Sequence, residues 1–220
     1  MDVSLKGSAA FRYLDIALQP GETIITEAGA MASMSSNVDM KAQLNGGLFR
    51  GLARKFLGGE SLFVSRFSNP TKEPQRLVLT SQSPGDIREH TLRAGESFCL
   101  EPGAYICSTT EIKIGLRWAG FTSFIAREGL FKLVLSGEGK FWYGGYGAFI
   151  ERTLNGEQLV DGGHLVGYDP SIKLKLQLPS GIFGSFLGGE GFVSRLEGSG
   201  KYIIQTRSLS GLASWINPRF

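Results

Sequence analysis

The stretch LQPGETIITEAGAM, residues 18–31, decides the fold because it returns twice in altered form. LRAGESFCLEPGAY occupies residues 92–105, and LNGEQLVDGGHLVGY, which has a shorter opening LNGE, occupies residues 154–168. Each copy places a Gly-Glu pair before a short run of strand-favouring residues. Similarity at separated positions indicates an internal repeat, and the glycines indicate turns that other residues would strain.

Two further elements follow each opening in the same order. VDMKAQL (38–44), IKIGLRW (112–118) and IKLKLQL (172–178) alternate apolar and polar residues, which predicts half-buried strands. GGESLFVSRF and GGEGFVSRL are near copies, and REGLFKLVL is their degenerate counterpart. Another strand candidate follows each of them, at residues 76–80, 140–143 and 201–206.

These recurrences predict an all-β chain of three tandem β-sandwich repeats, residues 1–80, 81–150 and 151–220, with few or no helices. About four short strands per repeat bury too little apolar surface to be stable alone. Stacking of repeats, or of several copies of the chain, would build a continuous core and cover strand edges. We therefore expect the protein to associate with itself.

Composition limits the class of protein. Of 220 residues, 42% are hydrophobic and 20% charged, as in a globular protein, and 31 are glycine, about twice the usual share. The net charge of +3 and the lack of long basic runs give no support for DNA binding. No apolar stretch could span a bilayer, and no signal peptide or presequence is recognisable. Two cysteines cannot build a disulfide framework, so we expect a cytoplasmic protein.

The residues that carry chemistry are sparse. His90 and His164 have no metal-ligand spacing, and His90 lies in a charged run that predicts exposure. Cys99 and Cys107 flank a predicted turn and read as ordinary strand residues, with a redox pair as the alternative. There is no G-x-S-x-G motif or nucleotide-binding loop. We predict no catalytic, cofactor-binding or metal-binding residues, and hence no enzymatic activity.

Two features, the recurring glutamates and an aromatic run, each allow a functional and a structural interpretation. Two sets of glutamates recur once per repeat, which could place them around a ring, or could mean turn glutamates that accept backbone N–H groups. The first set is Glu22, Glu96 and Glu157, and the second is Glu60, Glu128 and Glu190. The run FWYGGY at residues 141–146 could stack bases if it were exposed, although burial in a strand is the expected state.

One segment departs from the strand pattern, NGGLFRGLARKFLGG at residues 45–59. At helical spacing its apolar and basic residues separate, which could form a contact with a membrane surface or a partner. The alternative, which the short length favours, is a helix or loop that caps its own repeat. The candidate contact residues are Leu48, Phe49, Arg50, Leu52, Arg54, Lys55 and Phe56.

The motifs GETIITEAGAM, GLFRGLARKFLGGESLFVSRF and GGEGFVSRLEGSGKYIIQTRSL resemble the altered inheritance of mitochondria protein 24 family. The resemblance implies a short double-stranded β-helix repeated three times, each repeat similar to one subunit of the tryptophan RNA-binding attenuation protein. It also implies a homotrimer that forms a nine-repeat ring. Eukaryotic relatives are mitochondrial and affect inner-membrane organisation, but the missing presequence argues against that location here.

The family supplies no catalytic or ligand residues. We therefore expect an oligomeric scaffold or interaction module without a cofactor. The alternatives are a ring that binds a small molecule or RNA between repeats, and a peripheral membrane protein. A basic row at equivalent positions would favour RNA, yet Arg66 and Arg195 are matched by Val134 in the middle repeat.

Overall fold

A computed structural model describes residues 1–44, 63–118, 131–177 and 193–217. Within them lie seventeen β-strands and one α-helix. The strands in the first half are β1 (Asp2–Lys6), β2 (Tyr13–Leu18), β3 (Thr23–Glu27), β4 (Met31–Met34), β5 (Asp39–Leu44), β6 (Phe63–Ser68), β7 (Gln75–Thr80), β8 (Ile87–Leu92), β9 (Ser97–Leu100) and β10 (Tyr105–Ser108). The rest are β11 (Lys113–Trp118), β12 (Phe131–Ser136), β13 (Gly139–Gly144), β14 (Phe149–Asp161), β15 (Leu165–Tyr168), β16 (Lys173–Gln177), β17 (Val193–Gln205) and the helix α1 (Leu209–Ile216).

The strands form antiparallel sheets. One has the order β1-β2-β7-β4 and another the order β5-β6-β3-β10-β13-β8. The third has the order β11-β12-β9-β15-β17-β14, with β16 also paired to β17. The all-β prediction is confirmed.

The chain divides into two compact units. The first comprises Met1–Glu96, Pro102–Ile114 and Ser136–Gly145, and the second the remaining segments. Both are discontinuous in sequence, because strands from distant parts of the chain share a sheet. The repeat boundaries after residues 80 and 150 describe sequence similarity rather than these units, and they stay predictions.

The core of the first compact unit follows from period-two alternation. Leu14, Ile16 and Leu18 on β2 are fully buried, and the residues between them are only half-buried. On the neighbouring strand β7, Leu77 and Leu79 are buried in the same way. Burying each such side chain stabilises the fold by about 1.5–3 kcal/mol.

The second compact unit is organised by two long strands. β14 and β17 each have 13 residues and pair along their whole length, from Phe149 opposite Gln205 to Asp161 opposite Val193. At mid-length Gly156 lies opposite Gly198, and both have positive φ angles, of 112° and 121°. The other edge of β17 pairs with β15 and β16.

The local predictions agree with this fold except at one glycine. The alternating segments predicted from residues 38, 112 and 172 are the strands β5, β11 and β16, each beginning one residue later, and residue 178 lies outside the described residues. The glycines of the three openings, Gly21, Gly95 and Gly156, have φ angles of 79°, 85° and 112°. Gly21 and Gly95 lie in turns, as the sequence predicted. The turn predicted at Gly156 was wrong, because Gly156 lies within β14, opposite Gly198 on β17.

Candidate functional site

The predicted contact segment cannot be placed. Leu48, Phe49, Arg50, Leu52, Arg54, Lys55 and Phe56 all lie outside the described residues. The same is true of three of the repeated carboxylates, Glu60, Glu128 and Glu190. The membrane or partner contact at residues 48–56 therefore stays a prediction.

Both histidine side chains contact other residues of the protein. The Nδ1 atom of His164 lies 2.7 Å from the carbonyl oxygen of Gln205. The His90 ring packs against Phe141 with centroids 5.0 Å apart, and the side chain is half-buried. The predicted exposure of His90 was wrong, because β8 pairs with β13 and places His90 directly opposite Phe141. Within the described ranges, no three metal-binding side chains cluster.

The two cysteines are buried free thiols on different sheets, Cys99 on β9 and Cys107 on β10. Burial raises the pKa of Cys107 well above its ordinary value, since a thiolate is poorly solvated there. Reactive thiols have lowered pKa values and solvent access. Cys107 has the opposite properties.

The repeated glutamates act as turn residues in two of three cases. Glu22 accepts the backbone N–H of Gln19 at 2.8 Å, and Glu96 accepts that of Arg93 at 2.9 Å. Glu157 instead lies 3.5 Å from Arg195. Glu157 is a strand residue rather than a turn residue, since it lies within β14 and opposite Glu197 on β17.

The aromatic strand β13 is buried rather than available to bases. Phe141, Trp142 and Tyr143 each keep at most 2% of their surface exposed. Stacking of nucleobases requires an exposed ring face. These three rings therefore belong to the core, as the sequence predicted.

A polar cavity of about 660 Å³ lies in the first compact unit. Its charged lining residues are Asp2, Glu22, Arg66, Glu89, Glu111 and Lys140. Lys140 forms an ion pair with Glu89 at 2.7 Å, whereas the Arg66 side chain has no hydrogen bond or ion pair among the described residues. This volume is within the range of small-molecule sites. Sequence reasoning missed the cavity because its lining comes from six separate elements.

A second feature is the difference in burial among three short strands. All four residues of β4 are exposed, whereas all four residues of β10 and of β15 are buried. β10 is paired on both edges, by β13 and β3, and β15 by β17 and β9. Among the described strands, β4 has only β7 as a neighbour, and β14 has only β17.

These open edges expose apolar side chains. Met31 and Met34 on β4 are each 37% exposed, and Leu159 on β14 is 47% exposed. Unpaired backbone N–H and C=O groups beside apolar side chains make a strand edge that can add another strand. The arrangement can therefore bind a β-strand through its backbone.

The described structure is an all-β protein of antiparallel sheets with open edges and one polar cavity. Residues 3–207 match the family described as Mitochondrial biogenesis AIM24, and the chain belongs to that family. This confirms the resemblance seen in the sequence motifs.

The chain is also similar to the X-ray crystal structure of protein SPYM3_0169 from Streptococcus pyogenes. The TM-score is 0.81 at 24% sequence identity, over 100% of this chain and 99% of that one. At this identity the likeness establishes a shared fold. No curated protein matches the chain. None of the helices in the described residues has the length and apolar character that crossing a membrane requires.

Proposed function

We propose that the protein is a non-enzymatic scaffold that associates with itself, with three β repeats per chain and three chains per ring. The observation that carries the proposal is the exposure of β4 beside the complete burial of β10 and β15. The equivalent strands of two predicted repeats are buried by neighbouring strands, whereas the strand of the first repeat is exposed. This difference favours a further copy of the chain as the missing neighbour of β4.

Recurring hydrogen bonds support the three-repeat organisation. The backbone N–H groups of Ser35, Thr109 and Asp169 donate to the carbonyls of Arg76, Lys140 and Lys201, at 2.8, 2.9 and 2.9 Å. The side-chain oxygens of the same three residues accept the backbone N–H of the same partners, at 3.0, 3.3 and 2.7 Å. A hydroxyl or carboxylate therefore binds the final strand of each predicted repeat in the same way.

The solution mass tests this proposal. Light scattering on the purified protein is expected to give about 71 kDa, three times the chain mass of 23.8 kDa. The mass should not change over a tenfold dilution if the copies close into a ring. A mass of a single chain at all concentrations would reject self-association, and a mass that grows with concentration would reject closure.

The cavity favours a second candidate function, which is binding of a small charged molecule. Arg66 presents a guanidinium without a partner among the described residues, and planar guanidinium groups recognise carboxylates and phosphates. Native mass spectrometry of the purified protein would reveal a retained ligand. Its loss in Arg66→Gln, but not in Arg152→Gln on the exposed part of β14, is the expected result. Retention in both variants, or no ligand in either, would reject this site.

A further inference from the structure

We infer that the copies join by pairing β4 of one chain with β14 of the next, with Ser33 opposite Val160 and Met34 opposite Leu159. The inference rests on the proposed self-association, and it specifies the surface and the alignment. Two junctions inside the chain supply the alignment: β10 pairs with β3, and β15 pairs with β9.

The first half of the argument concerns the strand that is added. In β10, a bulge against β13 precedes Cys107, and Cys107 then lies opposite Thr26 on β3. In β15, a bulge against β17 precedes Gly167, which lies opposite Leu100 on β9. β4 has the same bulge against β7, and it precedes Ser33. Ser33 is therefore the residue expected to pair at a third junction.

The second half concerns the strand that receives it. Thr26 lies opposite Ser65 within the sequence Val-Ser-Arg at 64–66. Val160 lies opposite Ser194 within the same sequence at 193–195. Val160 thus holds on β14 the place that Thr26 holds on β3. Matching Ser33 to Val160 also sets Met34 opposite Leu159, because antiparallel neighbours run in opposite directions.

Strand order supports the same junction. The six-stranded sheet consists of β5-β6-β3 followed by β10-β13-β8. Two sets of three strands correspond to the halves of this sheet. The set β16-β17-β14 ends at the open edge of β14, and the set β4-β7-β2 begins at the open edge of β4. Joining β14 of one chain to β4 of another completes the same order. It would also cover Met34, whose counterparts Ser108 and Tyr168 are at most 2% exposed. The counterparts of Leu159 are Ile25, which is half-buried, and Cys99, which is fully buried.

The two edges are different surfaces, so the contact is head-to-tail and each chain offers one of each. This property allows a test with two variants that can rescue each other. Met34→Asp places a charge on β4, and Leu159→Asp places one on β14. Each variant alone is expected to have the mass of a single chain. Mixed together they should form a one-to-one dimer and no larger species, because each has one intact edge.

Phe11→Asp is the matched control, since Phe11 is 69% exposed and lies in the turn between β1 and β2, not on β4 or β14. It should keep the mass of the wild-type assembly. Circular dichroism of each variant checks that it is folded. A single-chain wild-type protein would overturn both the self-association and this junction. A wild-type oligomer whose mass survives both edge variants would overturn the junction alone.

Cross-linking gives an independent measurement if an aspartate variant fails to fold. Ser33→Cys with Val160→Cys is expected to form disulfide-linked chains under mild oxidation, because side chains of directly opposite residues lie about 4.5–5.5 Å apart at Cβ. Ser33→Cys with Leu159→Cys is the control, since neighbouring residues on a strand point to opposite faces. Equal linking in both, or linking in neither, would overturn the alignment.

Discussion

Lys132 Nζ lies 2.6 Å from Glu101 Oε2, and the lysine side chain keeps only 4% of its surface exposed. Glu101 ends the opening GESFCLE, and Glu27 ends the matching GETIITE. Glu27, however, lies opposite Val64 rather than a lysine. The two glutamates at the same position of the repeated pattern thus have different neighbours: Glu101 binds a lysine, and Glu27 lies opposite a valine.

Removing the buried lysine should destabilise the fold, since Lys132 forms an ion pair with the half-buried carboxylate of Glu101. Lys132→Met is expected to lower the free energy of unfolding by about 3 kcal/mol, because it removes the buried ammonium group that binds the Glu101 carboxylate. Urea denaturation at fixed protein concentration measures the change. Lys140→Met is the control, since Lys140 pairs with Glu89 but is half exposed, and it should lose less than about 1 kcal/mol. Equal losses would contradict a special role for burial.

Glu27 should make stability depend on pH. Burial raises its pKa from 4.5 to about 7, because the carboxylate is poorly solvated. The folded state therefore holds this proton more tightly than the unfolded state. The stabilisation is complete below pH 4.5 and is lost as the pH rises through about 7.

The expected loss between pH 5 and pH 8 is on the order of 1–2 kcal/mol after allowance for solvent screening. Denaturation of wild type and Glu27→Gln at several pH values measures it. The variant should lack this component of the pH dependence, because glutamine does not titrate. Parallel stability curves for the two proteins would show that Glu27 has an ordinary pKa.

Asn69 is expected to be the most sensitive polar residue of the first compact unit. Its side-chain amide donates to the carbonyls of Leu18 and Glu73, at 2.8 and 2.9 Å, and its oxygen accepts the N–H of Thr71 at 2.9 Å. Only 1% of its surface is exposed. Asn69→Ala should lower the free energy of unfolding by about 2–4 kcal/mol, since it leaves buried groups without partners.

The exposed Asn37 provides the comparison for this change. Asn37→Ala should alter the free energy of unfolding by no more than about 0.5 kcal/mol. Thermal and urea unfolding of the two variants would be measured side by side. A loss in Asn69→Ala as small as that in Asn37→Ala would mean that water replaces the hydrogen bonds of the Asn69 side chain.

A turn glycine with a positive φ should be destabilised by a side chain even where there is space for it. Gly95 has a φ of 85° with open space around its missing Cβ, so Gly95→Ala meets backbone strain without a clash. We expect it to lower the free energy of unfolding by about 1 kcal/mol. Gly103, which also has open space and no positive φ, is the control, and Gly103→Ala should be neutral or slightly stabilising. Equal effects would mean that the turn relaxes.

Local features of the fold could be predicted from the sequence because their causes are local. The alternation in residues 38–44 correctly indicated the strand β5, but the predicted half-burial was wrong for residues 39–42, which are all exposed. Gly21 and Gly95 indicated turns because only glycine adopts their conformations without strain. The exposure of His90 was misjudged for the opposite reason: the charges beside it in sequence say nothing about Phe141 on the paired strand.

The sequence by itself determined that the chain is built of β-strands, where its turns lie, and to which family it belongs. The tertiary structure decided which strands pair, and thereby left the edges of β4 and β14 without neighbours among the described strands. Side-chain alternation specifies which face of a strand is buried. It does not specify the neighbouring strand, because all residues except proline offer the same backbone N–H and C=O groups. A strand's partners, its open edges and the cavity beside Arg66 are therefore set only when distant segments come together.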